Sequence, residues 1–173
     1  MSEVRKAATA LKGNPVDLVG KTLKPGSKAP DFKLQSPALG EVKLGDFAGK
    51  SLVLWTVPSL DTSVCSTETK KFSEFAKSKG NVGFLCVSMD LPFAQARWRA
   101  AEGVGHETLS RHRSEAFGRA YGVLLREWRL LQRAVFVIDG SGQIVHAEYV
   151  ADQMAEPDYD AAVAAARSIA SQT

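Results

Sequence analysis

Of the two cysteines in the sequence, Cys65 lies where a sulfur can do chemistry. The segment Pro58-Ser-Leu-Asp-Thr-Ser-Val-Cys65 follows an unbroken apolar run, Leu52-Val-Leu-Trp-Thr-Val57, and leads into a stretch patterned as a helix. Pro58 ends the apolar run, at the edge of an α/β sheet where ligands usually bind. Asp61 or Thr62 can cap the helix that follows. With Thr62 as the cap, Cys65 falls in the first turn, facing unpaired backbone N–H groups and the positive end of the helix dipole. A free thiol has a pKa of about 8.5. A helix N-terminus and a neighbouring cation lower that value and supply the thiolate, which is the nucleophile. The plain alternative is a small apolar core residue, and a lone capped cysteine does not identify a reaction.

The other features narrow the field. Cys86 lies in Phe84-Leu-Cys-Val87, an apolar strand pattern in which a thiol is expected to be buried and inert. No Cys-x-x-Cys is present, so dithiol oxidoreductase chemistry is excluded, and His106, His112 and His146 stand apart from both cysteines, so no zinc or other metal site is expected. Net charge is +3, from 22 Lys and Arg against 19 Asp and Glu, with no basic block, which argues against a nucleic-acid partner. No apolar run approaches the ~18 residues of a membrane helix. Met1–Gly20 carries no apolar signal core, so a cytoplasmic protein is expected. A chain of 173 residues, 45% hydrophobic, is expected to form a single domain over 1–173 without disulfide staples.

These residues need a scaffold. Val16–Val19 and Lys21–Leu23 flank Gly20 and suggest a hairpin. Phe32–Leu34 and Val42–Leu44 alternate as half-buried strands do, and Pro37–Gly40 forms the turn between them. Leu52–Val57 reads as a strand buried on both faces. Thr62–Lys79 reads as a helix with Val64, Phe72, Phe75 and Ala76 inward and Lys70, Lys71, Glu74 and Lys77 in water. Val82–Val87 is a second buried strand, giving a parallel βαβ unit. Helices are predicted over Pro92–Ala101 and over a short stretch from Ser114 to Tyr121. Strands at Ala134–Asp139 and Ile144–Val150 flank Gly140-Ser-Gly142, and Asp158–Ser171 closes the chain as a helix. The order β-α-β-α-α-β-β-α describes an α/β, thioredoxin-like fold, with a mixed central sheet flanked by helices and an added N-terminal β-hairpin.

Pro58-x-x-x-Thr62-x-x-Cys65 also resembles the peroxidatic motif of the peroxiredoxins. Gly13-Asn-Pro15, Asp90-Leu-Pro-Phe-Ala-Gln95, Arg133-Ala-Val-Phe-Val-Ile-Asp139 and Glu156-Pro-Asp-Tyr159 narrow the resemblance to the bacterial thiol peroxidases, over about residues 13 to 169. The resemblance implies a thiol-dependent peroxidase that reduces hydrogen peroxide and organic hydroperoxides through a sulfenic acid at Cys65, with no cofactor. It implies that Thr62 bonds the peroxide and orients the sulfur. Arg133 would hold the thiolate and the peroxide with its fork of donors, and Pro58 would shield the sulfenic acid. Helix cap and substrate ligand compete for the one Thr62 side chain. Trp55 and Phe93 would suit alkyl peroxides. Family members are commonly homodimers.

The pattern breaks at one place. A resolving cysteine usually follows the Asp-Leu-Pro-Phe-Ala-Gln stretch, and here the aligned residue is Arg99. One-cysteine chemistry is therefore expected, with the sulfenic acid reduced from outside by a small thiol, a thioredoxin-like protein, or Cys65 of another subunit. Arg97, Trp98 and Arg99 are read as an ordinary solvated helix face with Trp98 packed inward, the alternative being a cationic and aromatic surface near the active-site mouth. The alternative function is a redox sensor, oxidised once at Cys65 with little turnover.

Overall fold

The computed structural model describes residues 3–78 and 80–171. The chain opens with a hairpin, β1 (Val4–Leu11) and β2 (Asn14–Val19), turning at Lys12-Gly13. Both turn residues have positive φ, 50° and 77°, the two-residue geometry that matches strand twist. The expected hairpin around Gly20 is therefore corrected: an N-terminal hairpin is present, but earlier, and Lys21–Leu23 is not a strand. Gly20 serves a different need. Its φ is +101°, and a Cβ there would lie 2.0 Å from the carbonyl oxygen of Arg119.

Next come β3 (Lys33–Gln35), β4 (Glu41–Lys43) and a 3-10 turn at Leu44–Phe47. The βαβ unit follows as β5 (Ser51–Thr56), α1 (Ser63–Lys77) and β6 (Val82–Ser88), with β5 and β6 parallel as predicted. Lys79, the predicted end of the helix, lies outside the described residues. Then come α2 (Pro92–Glu102), β7 (Glu107–Ser110), α3 (Ala116–Ala120), β8 (Leu124–Leu125), β9 (Leu130–Leu131), β10 (Ala134–Ile138), β11 (Ile144–Tyr149) and α4 (Tyr159–Ala170). Strand β7 interrupts the predicted α-α succession. It is short and polar at every position but Leu109, and it becomes a strand by pairing in parallel with β6.

The main sheet has seven strands in the order β11-β10-β5-β6-β7-β3-β4, parallel at β5-β6-β7 and antiparallel elsewhere. This is the mixed sheet of a thioredoxin-like α/β fold. A second sheet, β1-β2-β8-β9, joins the hairpin to the segment before β10. Every residue of β5 is buried because both faces of the sheet are covered. Leu52 and Leu54 pack with Phe117, Tyr121 and Phe136 on one side. Val53 and Trp55 pack with Phe72, Trp98 and Ala162, from α1, α2 and α4, on the other. Cys65 belongs to this second core. No helix among the described residues is long and apolar enough to cross a membrane.

Candidate active site

The loop between β5 and α1 is fixed from one neighbouring residue. The Asp90 carboxylate, just beyond β6, accepts hydrogen bonds from Ser59 Oγ at 2.7 Å, the Leu60 amide at 2.9 Å and Ser88 Oγ at 2.8 Å. Gln95 of α2 donates to Ser88 Oγ and to the Leu109 carbonyl, both at 2.9 Å, tying α2 and β7 to the same point. The Asp90–Gln95 stretch thus holds the cysteine loop in place. Pro58 is half-buried and follows β5 after the single residue Val57. Thr62 is the N-cap of α1 by its backbone, φ −103° and ψ 147°, and its side chain makes no cap bond. The Thr62 hydroxyl instead donates to the Ser59 carbonyl at 3.0 Å. The competition between cap and ligand is removed, because the exposed Thr62 oxygen keeps its lone pairs free.

Cys65 lies in the first turn of α1 with no exposed surface. Arg133, which immediately precedes β10, is 1% exposed and donates from Nη2 to Cys65 Sγ at 3.2 Å. Three further guanidinium contacts surround that one. Nη1 pairs with Glu68 Oε2, while Nε and Nη2 donate to the Gln153 carbonyl at 3.3 and 2.8 Å. The Arg133 amide donates to Gln153 Oε1 at 2.6 Å, and Gln153 Nε2 donates to Thr9 Oγ1 at 2.8 Å. A chain of contacts therefore runs from the N-terminal hairpin through Gln153 and Arg133 to the sulfur. Sequence reasoning missed both Glu68 and Gln153. Glu68 lies one turn after Cys65 on the same helix face, and that spacing was the signal available.

The electrostatics follow from this packing. Burial works against the charge of Arg133, but Glu68 and Cys65 outweigh it and raise the guanidinium pKa. Burial pushes the Glu68 carboxyl up to about 8, overcoming the pull of Arg133. The two directions conflict if Glu68 is read as a permanent anion. We take the upward direction for Glu68, because a single buried guanidinium cannot neutralise both a carboxylate and a thiolate.

The other candidates fall outside this cluster. Trp55 is fully buried, its indole donating to Thr69 Oγ1 at 3.3 Å and its ring stacked on Phe72, so it does not offer a peroxide-facing surface. Phe93 is 66% exposed. On α2, Arg97 reaches the cysteine loop through Asp61 at 3.0 Å, Trp98 is buried and Arg99 is half-buried in the last turn. Cys86 is buried with the Thr69 hydroxyl 3.8 Å from its sulfur, and burial pushes its thiol well above the ordinary range. Both cysteines are free thiols. Among the described residues no group of three or more His, Cys, Asp or Glu is placed to hold a metal ion.

Comparison with known proteins bears on this arrangement. A sequence model described as Redoxin matches residues 24–163. The chain is 45% identical over 164 residues to a thiol peroxidase of Bacillus subtilis (strain 168), covering 94% of this chain and 98% of that protein. It is 50% identical over 158 residues to a thiol peroxidase of Listeria monocytogenes serotype 4b (strain F2365), covering 91% and 96% of the two chains. Among solved structures, a peroxiredoxin-like protein from Aquifex aeolicus superposes with a TM-score of 0.88 at 39% identity, covering 95% of this chain and 99% of the other. A thiol peroxidase from Chromobacterium violaceum, at 21% identity and a TM-score of 0.82, covers 88% and 91% of the two chains and shares the fold.

Proposed function

The chain belongs to the Redoxin family and is a thiol peroxidase of the peroxiredoxin type, and from that premise we propose that Cys65 is its peroxidatic nucleophile. The thiolate attacks one oxygen of a hydroperoxide. An S–O bond forms, the O–O bond breaks, sulfur loses two electrons, and the leaving hydroxide or alkoxide takes up a proton. The observation that carries this reading is the 3.2 Å contact from Arg133 Nη2 to Cys65 Sγ inside a buried pocket. A fixed cation held at the sulfur acts on charge that develops along the S–O–O line in the transition state. Thr62 accepts the peroxide O–H at the oxygen its own bond to Ser59 leaves open. Pro58 limits water at the sulfur from the strand side. Cys65 has no exposed surface, so a peroxide must part its cover to reach the sulfur.

The cycle is completed from outside, by a small thiol or a thioredoxin-like protein, or by a second subunit. Arg99 at the usual resolving position, and the apolar enclosure of Cys86, support a one-cysteine cycle. The substrates are hydrogen peroxide and organic hydroperoxides. The chain works as one domain, a reading supported by the hairpin's hold on Gln153 through Thr9. Exposed Leu91 and Phe93, beside the Asp90 anchor, support a homodimer. Steady-state peroxide consumption with each candidate thiol tests the proposal. Continued turnover with a trapped sulfenic acid at Cys65 is expected. A single stoichiometric oxidation without turnover would replace the enzyme reading by the sensor reading.

A further inference from the structure

Glu68 is a buried ionisable group in contact with the site that peroxide chemistry at Cys65 does not use. Its side chain is fully buried, and among the described residues its only hydrogen-bonded partner is Nη1 of Arg133, at Oε2. Its other oxygen, Oε1, is buried without a hydrogen-bond partner. The ionisable groups around it come from every element packed there. They are Cys65 on its own helix, Arg133 before β10, Cys86 on β6, Glu148 on β11, Glu156 in the loop before α4, and Tyr159 at the start of α4. Arg133 is the one cation among them. Lys71, further out, is paired with Glu156 at 3.0 Å.

One guanidinium thus faces two groups that can each carry a negative charge, Cys65 through Nη2 and Glu68 through Nη1. With both ionised, the pocket would bury an anion that nothing compensates. An unpartnered carboxyl oxygen tolerates a proton better than a share of negative charge. Oxidation changes the balance, because a neutral sulfenic acid no longer competes for the cation.

We propose that Glu68 holds a proton while Cys65 is a thiolate and releases it when Cys65 becomes a sulfenic acid. The step balances as Cys65–S⁻ plus Glu68–COOH plus ROOH giving Cys65–SOH plus Glu68–COO⁻ plus ROH. Sulfur supplies the two electrons that break the O–O bond, and the proton gained by the alkoxide equals the one Glu68 gives up. Glu68 acts through Arg133 rather than on the peroxide, as a positioning and proton-holding residue. Its raised carboxyl, held up by burial, fits a proton retained near neutrality. The inference rests on Cys65 being the nucleophile.

The test is a single turnover at near-neutral pH in weak buffer. The reduced full-length protein is mixed with one equivalent of hydroperoxide, an indicator dye reads proton uptake, and mass spectrometry counts the sulfenic acid. The expected result is no net uptake per sulfenic acid in the wild type and uptake of a full proton in Glu68→Gln. A full proton taken up by the wild type overturns the proposal and leaves the Cys65 assignment standing. Zero uptake in both proteins also overturns it, because the proton then has another source. No sulfenic acid at all overturns the Cys65 reading itself. Infrared difference spectra of the wild type give a second readout that needs no variant. The carbonyl band of a protonated carboxyl should disappear on oxidation, and its persistence refutes the proposal.

Discussion

Cys65 and Cys86 pack in the same core and are equally hidden, at 0% and 1% exposure, yet their surroundings differ in one respect. Cys65 touches a guanidinium. Cys86 sits beside Trp55 in the sheet, near the Thr69 hydroxyl, with no charged group in hydrogen-bond contact. His106 packs on that same Trp55, 5.1 Å between ring centroids, and burial, aided by Arg99, lowers its pKa to about 4. This side of the core drives an acid up and a base down, so it rejects charge of either sign. Burial is therefore common to both thiols. The fixed countercharge beside Cys65 is what separates their surroundings.

The largest expected effect is at Cys65. Cys65→Ser should abolish peroxide reduction, and wild-type rates in that variant would erase the distinction between the two thiols. Arg133→Lys keeps a cation but loses the fork that reaches Sγ, Glu68 and Gln153 together. We expect kcat/KM for peroxide to fall by about 10²–10³-fold, the scale of losing one preorganised donor. An unchanged rate would remove the guanidinium from the account.

His106 sharpens the contrast through pH. Its folded pKa of about 4 lies below the ~6.5 of an unfolded histidine. The unfolded state binds more protons between these values, so this contribution is complete above about pH 6.5 and is lost as pH falls toward 4. It amounts to about 3 kcal/mol at most. His106→Phe should flatten that part of the pH dependence in urea unfolding at pH values across the window, and an identical slope in both proteins would count against a charge-excluding pocket. The smallest effect is at Cys86. Cys86→Ala should cost about 1 kcal/mol of stability, as a small core truncation does, and leave peroxidase turnover intact. Non-reducing electrophoresis of the oxidised wild type should reveal no Cys65–Cys86 bridge.

Much of the site was legible from local pattern. The buried strand ending at Pro58, the helix holding Cys65 in its first turn, and the hairpin of β10 and β11 all arise from residues close in sequence. The errors have physical causes. Gly20 was read as a turn because glycine permits one, whereas its role is a close approach to Arg119, which no local pattern contains. Strand β7 carries too little apolar alternation to announce itself, and exists because β6 offers it an edge. Glu68 escapes the local pattern because an inward helix face is ordinarily apolar. The buried stripe of α1 is instead Cys65, Glu68, Thr69, Phe72 and Ser73, with Val64, Phe75 and Ala76 only half-buried.

By itself the sequence determined the elements around the cysteine, and the motif spacing that named the kind of chemistry, because capping, strand burial and helix stops act over a few residues. The tertiary structure alone decided what the sulfur meets. Arg133 is 68 residues from Cys65 along the chain, and Thr9 is 144 from Gln153. Those pairs come together only when antiparallel β10 docks against β5 and the N-terminal hairpin bonds to residues 150–153. Charge compensation in a buried pocket depends on distances of a few ångströms through space, which spacing along a chain does not encode.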